Sequence, residues 1–506
     1  TVTLSVGQPQ VQFTETNAPS TSGFEAFVKA TQRGQIILDD GISAQNPPTA
    51  YGRNGQPLSA SNTLRAGDAV NSVVGVLDQF VDSAAAVHQT SYRVQPTVAP
   101  NFSGPERPTA ADFKAAVGAA GLKIASANVL NYFNVTGATS GPSQVMFTTP
   151  LGNQQGIRGA NNAQELERQR AKIVANLMGL DADIYGLMEV QNNGSGPSGA
   201  LKDLTDALNA SSDKPAGARY DYVKAPFKEG SAEVAGAGTD AITVAIIYRA
   251  DRVQPAGTAA VASPVTYPAF SATGGSRVPV AQTFAVPLGA GATDQITVVV
   301  NHFKSKGSVL ASPGNADQRD GQGANNAARV MAANQLKSWL DTNPTGATSS
   351  NLVLVGDFNA YGKEQPITTL EGYGFIKVSQ GDSYSFDGLW GSLDHIFVSA
   401  GLQARVGKVV KWAINAQEPV ALDYNTEFNK PASYYAATPY RSSDHNPIVL
   451  GLLLGNQPPA ILGVPATPRT VVAGEAFGLD GLTVSDPEGG TLTLSITASN
   501  ARLLGL

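Results

Sequence analysis

Apolar residues between Lys123 and Leu454 fall into short strand-length runs separated by stretches with helical spacing. The runs Lys123–Val129, Asp183–Val190, Ile242–Tyr248, Ile296–Phe303, Leu352–Asp357, Leu393–Val398 and Ile448–Leu454 predict strands. Segments Ala163–Met178, Leu201–Leu208 and Asn325–Leu340 predict helices. In the first of these, Leu166, Ile173, Val174, Leu177 and Met178 form a stripe suited to packing on a sheet. Strand–helix alternation over this length predicts a layered α/β or α+β domain. Residues 1–98 read differently, as short strands such as Gly34–Leu38, Val73–Leu77 and Tyr92–Pro96 joined by turns, which predicts a small barrel or sandwich.

Proline marks two expected linkers. One, within 99–121, follows Pro96 and holds Pro100, Pro105 and Pro108; the other is Gly455-Asn456-Gln457-Pro458-Pro459. Beyond it, Leu482–Val484 and Thr491–Ile496 read as strands around the turn Asp486-Pro487-Glu488-Gly489-Gly490. About fifty residues are too few for a β-sandwich of ~100, so the expectation is a module continued in a longer parent chain.

Composition narrows the chemistry. With 506 residues the chain exceeds one ordinary core, and two to four domains are expected. It contains no cysteine, which excludes disulfides, thiolate metal sites and a cysteine nucleophile. The net charge of −6 argues against binding nucleic acid by bulk basicity, so attraction to a phosphate substrate has to be local. No run of 18 apolar residues predicts a membrane span. The first residue is Thr1 rather than Met, which leads us to expect a processed or excised chain.

Three of the four histidines sit in strand-end words: Asn301-His302-Phe303-Lys304, Leu393-Asp394-His395 and Ser443-Asp444-His445. His88, among small residues, reads as a surface residue. Glu189 ends an apolar run, Asp357 ends another, Asp444 precedes a third, and Asn128 lies within Ala125–Val129. If these strands share one sheet, carboxylates and a carboxamide converge at its rim. Oxygen ligands of that kind select Mg²⁺ or Mn²⁺ over Zn²⁺.

These words resemble those of the endonuclease/exonuclease/phosphatase superfamily, the deoxyribonuclease-I-like phosphodiesterases, and in particular large bacterial extracellular nucleases. The resemblance rests on Leu122–Phe133, Arg168–Ile173, Gly186–Val190, Val300–Gly307, Gly356–Tyr361, Asp423–Phe428 and Tyr440–Pro447, which occur in the family's order. It implies a four-layer α/β sandwich at 122–455, two packed mixed β-sheets flanked by helices. Residues 1–98 are similar to a small all-β OB-like barrel, and 456–506 to the start of an Ig/cadherin-like β-sandwich.

The resemblance also implies roles. Glu189, Asn128 and Asp444 would hold a divalent cation, Mg²⁺ first, with Mn²⁺ or Ca²⁺ as alternatives. Asp357 and Asn359 would orient the attacking water. His445 would contact the phosphate or take the water's proton, with Asp394 fixing its tautomer. His302 would be the second imidazole, with Asp240 the nearest candidate for its supporting carboxylate. Lys304, Arg277 and Asp240 would lie on the substrate side. Arg329 reads equally as a phosphate contact or an ion-pairing residue, and Tyr248 and His395 as buried structural residues. The expected activity is secreted, metal-dependent hydrolysis of extracellular DNA or RNA. Hydrolysis of small phosphoesters or phospholipid headgroups, or a surface protein with a retired hydrolase domain, are the other readings.

Overall fold

The computed structural model describes residues 1–42, 44–47, 50–82, 89–225, 238–289, 292–455, 460–462 and 483–485. His88, the linker residues 456–459, the turn 486–490 and the expected strand 491–496 lie outside them. In the tail, Ala460–Leu462 pairs antiparallel with Thr483–Ser485.

The N-terminal region corrects the expectation of an OB-like barrel. Strands β1 (Val2–Ser5), β2 (Gln35–Leu38), β3 (Gly75–Asp82) and β4 (Gln89–Pro96) form an open sheet in the order β1-β2-β4-β3. A barrel requires its edge strands to pair; here β1 and β3 remain edges among the described residues. Val76 and Leu77 on β3 are both more than half exposed, so the sheet encloses no barrel interior. The chain between β1 and β2 is helical instead. Helix α1 (Thr21–Arg33) starts where the Ser20 hydroxyl accepts the Gly23 N–H at 3.1 Å. Its Phe24 and Phe27 rings pack on Phe13 at centroid distances of 5.8 and 5.7 Å.

This region is fastened to the remainder of the chain. The fully buried Glu418 carboxylate accepts from Arg65 at 2.8 Å, Arg107 at 2.6 Å and Thr63 at 3.0 Å. The segment expected as a linker carries helix α2 (Ala110–Val117), opened by a reciprocal capping box between Thr109 and Asp112. Its Phe113 stacks on Trp412 at 5.1 Å.

The middle region alternates strands and helices: β5 (Leu122–Tyr132), α3 (Ala163–Leu180), β6 (Ile184–Gln191), α4 (Ala200–Ala210), β7 (Tyr220–Tyr222), β8 (Ile242–Arg249), β9 (Gln254–Val261) and β10 (Arg277–Gly289). It continues with β11 (Ala292–His302), α5 (Asn326–Leu340), β12 (Leu352–Asp357), α6 (Gln365–Gly372), β13 (Ile376–Lys377), β14 (Asp394–Val398), β15 (Val406–Lys411) and β16 (Ile448–Leu452). Two six-stranded mixed sheets result, β7-β8-β6-β5-β16-β15 and β9-β10-β11-β12-β14-β13. Each has one parallel pair near its centre, β5 with β6 and β11 with β12, joined by a crossover that contains α3 or α5.

The period of two in the strands assigns their faces. Leu122, Ile124, Ile184 and Met188 turn toward the second sheet, while Ala125, Ala127, Tyr185 and Leu187 pack under α2, α3 and α4. At Gly186 the sheets approach so closely that a Cβ would lie 2.5 Å from Val355 and 2.9 Å from Val300. On the second sheet α5 and α6 add Ala333, Leu336, Ile367 and Leu370 to the core.

Candidate active site

Topology explains why the chemistry-bearing residues meet. Parallel β5 and β6 end at the same rim, and β16, antiparallel to β5, begins there. In the other sheet β11 and β12 end at that rim and antiparallel β14 begins there. Cross-strand register aligns Arg277 with His302, His302 with Asp357, and Asp357 with Asp394. Residues in register share a face, so one row crosses four strands. Gly356 lets this row form: its φ is +146°, and a Cβ would lie 2.0 Å from the Asn301 carbonyl oxygen.

On the facing sheet Glu189 sits in a bulge with φ of +68°, opposite a second irregularity where Leu130 and Asn131 also have positive φ. Asn128 Nδ2 donates to Glu189 Oε1 at 3.0 Å, and the Asn131 N–H donates to Oε2 at 3.0 Å. The Leu130 N–H fixes Asn128 by donating to its Oδ1 at 2.9 Å. Burial raises the Glu189 pKa, and the neighbouring Asp444 raises it further.

His445 is the most heavily partnered group. Its Nδ1 lies 2.6 Å from Asp394 Oδ2, and its Nε2 lies 3.9 Å from Asp357 Oδ2 and 4.0 Å from Asp444 Oδ1. Burial opposes its protonation, yet Asp394, Asp444 and Asp357 outweigh burial and hold its pKa well above the ordinary value. The Tyr384 ring lies against it at 4.6 Å. Asp357 is also buried, which raises its pKa; its Oδ1 accepts the Asn359 N–H at 2.8 Å. Asn359 Nδ2 in turn donates to the Phe303 carbonyl at 3.0 Å.

His302 contrasts with His445. Its Nε2 is 3.5 Å from Asp357 Oδ2, while its buried Nδ1 has no hydrogen-bond partner among the described residues. Burial first, then Arg277, push its pKa well below the ordinary value. Asp240 does not support it. That carboxylate instead pairs with Arg158 at 3.0 Å and Arg277 at 3.1 Å. The two arginines and Asp240 line a cleft of about 260 Å³ with Gln155, Ser271 and Ser276.

Lys304 and Arg329 are spent on the loop after β11. The Lys304 ammonium donates to Ser305 O at 3.1 Å and Gly307 O at 2.5 Å, and burial lowers its pKa to about 8. Arg329 is fully buried, donates to the carbonyls of Ala324 and Gln322 at 2.8 and 2.9 Å, and pairs with the buried Glu364 at 3.7 Å, so its ion pair is internal and not on the surface. His395, bonded to the Ala360 carbonyl at 2.8 Å, and Tyr248 are buried. Sequence reasoning missed Arg158 and Tyr384, because neither lies in a motif and their partners are remote in the chain.

Thus Asn128, Glu189, His302, Asp357, Asn359, Asp394, Asp444 and His445 are brought to one rim. Asp357, Asp394 and His445 place potential ligand atoms within 4.8 Å of one another, a cluster able to hold a metal ion. The crowded carboxylates with raised pKa values fit a divalent cation, whose charge would offset their repulsion.

The model of the Endonuclease/Exonuclease/phosphatase family matches residues 125–445, well over half the chain. Among solved structures, an endonuclease/exonuclease/phosphatase family protein from Bacteroides thetaiotaomicron is 17% identical, with 65% of this chain and 97% of that chain covered at a TM-score of 0.35. A mannosyl-6-phosphatase from the same organism is 16% identical, covering 66% of this chain and 100% of that one, also at 0.35. The human Nocturnin catalytic domain is 14% identical, covering 69% and 95%, at 0.34. No curated protein sequence matches the chain. The family match runs from Ala125 on β5 to His445 before β16 and so spans every residue of the rim, and the chain belongs to the Endonuclease/Exonuclease/phosphatase family.

Proposed function

We propose that the chain is a metal-dependent phosphodiesterase that hydrolyses DNA outside the cell, with its catalytic unit at 122–455. The observation that carries this reading is the 2.6 Å Asp394–His445 bond, set in one pocket with Asp357 and the Glu189–Asn128 pair. Glu189 and Asp444, with Asn128, are assigned as holders of the cation, Mg²⁺ by the oxygen character of the set, with Mn²⁺ and Ca²⁺ as alternatives. We favour them over the Asp357–Asp394–His445 cluster because there Nδ1 and Oδ2 already bond each other. A bound cation would supply positive charge against the oxygens of the transition state.

The residues divide the remaining work. Asp357 Oδ2 faces both imidazoles, and its raised pKa suits it to take the proton of a water attacking phosphorus in line. Asn359 holds the other carboxylate oxygen. His445, kept protonated by its acidic neighbours, donates from Nε2 to a phosphoryl oxygen. Neutral His302 contributes a second, uncharged hydrogen bond.

Supercoiled plasmid should be cleaved in Mg²⁺, lose cleavage with chelator and regain it on adding Mg²⁺. Turnover of p-nitrophenyl phosphate without plasmid cleavage would overturn the nuclease reading. It would favour the small-phosphoester reading, for which the 260 Å³ cleft beside His302 is the supporting observation.

A further inference from the structure

The N-terminal segment reaches the catalytic rim. Gln12 N–H donates to the Trp390 carbonyl at 2.7 Å, and Trp390 N–H donates to the Gln10 carbonyl at 2.9 Å, so residues 10–12 extend the short hairpin that precedes Asp394. The helical turn Phe13–Thr16 follows and is buried at Phe13 and Thr14. Its Thr14 hydroxyl donates to the buried Glu364 at 2.9 Å and to the Gly321 carbonyl at 3.1 Å, while Lys363 N–H donates to the Thr14 carbonyl at 2.7 Å. A Cβ on Gly321 would lie 2.7 Å from Phe13 and 2.9 Å from Thr14, so the contact is closely fitted.

Glu15 occupies the centre of this contact. One carboxylate oxygen, Oε2, accepts the Ser392 N–H at 2.8 Å and the Gly362 N–H at 3.4 Å. Gly362 lies five residues after Asp357, at the far end of the loop that contains Asn359. Ser392 lies two residues before Asp394, and its hydroxyl donates to the Asp394 carbonyl at 3.0 Å. The same hydroxyl is bonded by the Lys411 ammonium at 2.9 Å. On the opposite flank the Ser383 hydroxyl accepts the N–H groups of Leu393 and Asp394, each at 3.0 Å. The segment that presents Asp394 is therefore held on two sides, and Glu15 is a side-chain hold that also reaches the loop after Asp357, at Gly362.

We propose that Glu15 is a positioning residue of the active site, a clamp from outside the catalytic unit that sets the Asp394–His445 dyad against Asp357. It touches neither substrate nor the reacting atoms. Its action follows from reach: one oxygen spans two backbone donors, and those donors belong to the two segments whose acids face His445. Proton transfer and phosphate contact depend steeply on such spacing; an error of about 1 Å can cost ~10²-fold in rate.

Two variants separate reach from charge. Glu15→Gln keeps the carbonyl oxygen at full length and loses the charge. Glu15→Asp keeps the charge and falls one methylene short. The clamp predicts plasmid-cleavage kcat near wild type for Glu15→Gln and roughly 10- to 100-fold lower for Glu15→Asp, with KM little changed and the same far-UV circular dichroism. The kinetic arm rests on the phosphodiesterase reading. A second arm does not: the Nδ1 proton of His445, held at 2.6 Å from Asp394, should give a downfield proton resonance that shifts in Glu15→Asp and stays in place in Glu15→Gln. Equal kinetics and spectra in both variants, or a greater loss in Glu15→Gln, would overturn the clamp. So would an activity loss that merely follows the folded fraction. An inactive wild type with the resonance shifted only in Glu15→Asp would retain the clamp and remove the phosphodiesterase reading.

Discussion

Two imidazoles lie near the same oxygen of Asp357, and they are built for opposite states. His445 bonds Asp394 and has Asp357 and Asp444 nearby, so its charge is welcome. His302 has no partner for Nδ1 among the described residues and has Arg277 beside it, so its charge is penalised. Burial is the same for both; the neighbours decide the sign. Residue type and strand-end position alone therefore do not assign a role at this rim. The acid on the facing sheet, or the cation on the neighbouring strand, does.

The sharpest break in the comparison is His445→Ala. Removing the charged imidazole should lower plasmid cleavage roughly 10²- to 10⁴-fold with folding intact, measured as kcat beside circular dichroism. Full activity would make the two imidazoles equivalent bystanders. Asp394→Asn comes next. It keeps the shape but withdraws the countercharge, so His445 should lose its raised pKa and kcat should fall by about 10²-fold, near the lower end of the acid–base range. His302→Gln should cost less than either, since it replaces a neutral donor by a neutral donor.

Stability against pH refines the contrast. For His445 the folded pKa lies above its unfolded value near 6.5, so its contribution is fully present below that pH and is lost as pH rises through the folded pKa. For His302 the folded pKa lies below the unfolded value, so its contribution is present above pH ~6.5 and is lost as pH falls through the folded pKa. Thermal melts should show Asp394→Asn losing most relative to wild type on the acidic side. His302→Gln should instead flatten the loss toward acid. The reverse pattern would exchange the two roles.

Much of this rim was legible in the chain. His302, Asp357, Asp394 and His445 each adjoin an apolar run, and a strand end is a place where a side chain can be both rigid and reachable. The partners of Asp240 were not legible. Its pairing with Arg158 and Arg277 depends on chain segments 82 and 37 residues away, and no local pattern encodes it. Helix α1 was missed although Ser20 caps it and Phe24 and Phe27 mark one face; the short strands around it set the reading for the whole region. The helix at Ala110–Val117 was hidden in the same way by the prolines that precede it. Strands β9, β10 and β15 escaped as well. Exposed positions interrupt the apolar run in β9 and β15, and Pro279 and Pro287 sit within β10.

The row from Arg277 through His302 and Asp357 to Asp394 lies on the backbone ladder itself. Its spacing is inherited from strand pairing, so a rim loop that carries neither Gly362 nor Ser392, the two residues held by Glu15, can be exchanged without disturbing it. Grafting the loop between β5 and α3, which carries Arg158, should redirect what is bound while the hydrolytic step survives. For the proposed activity, reaction and preference would then be open to independent change.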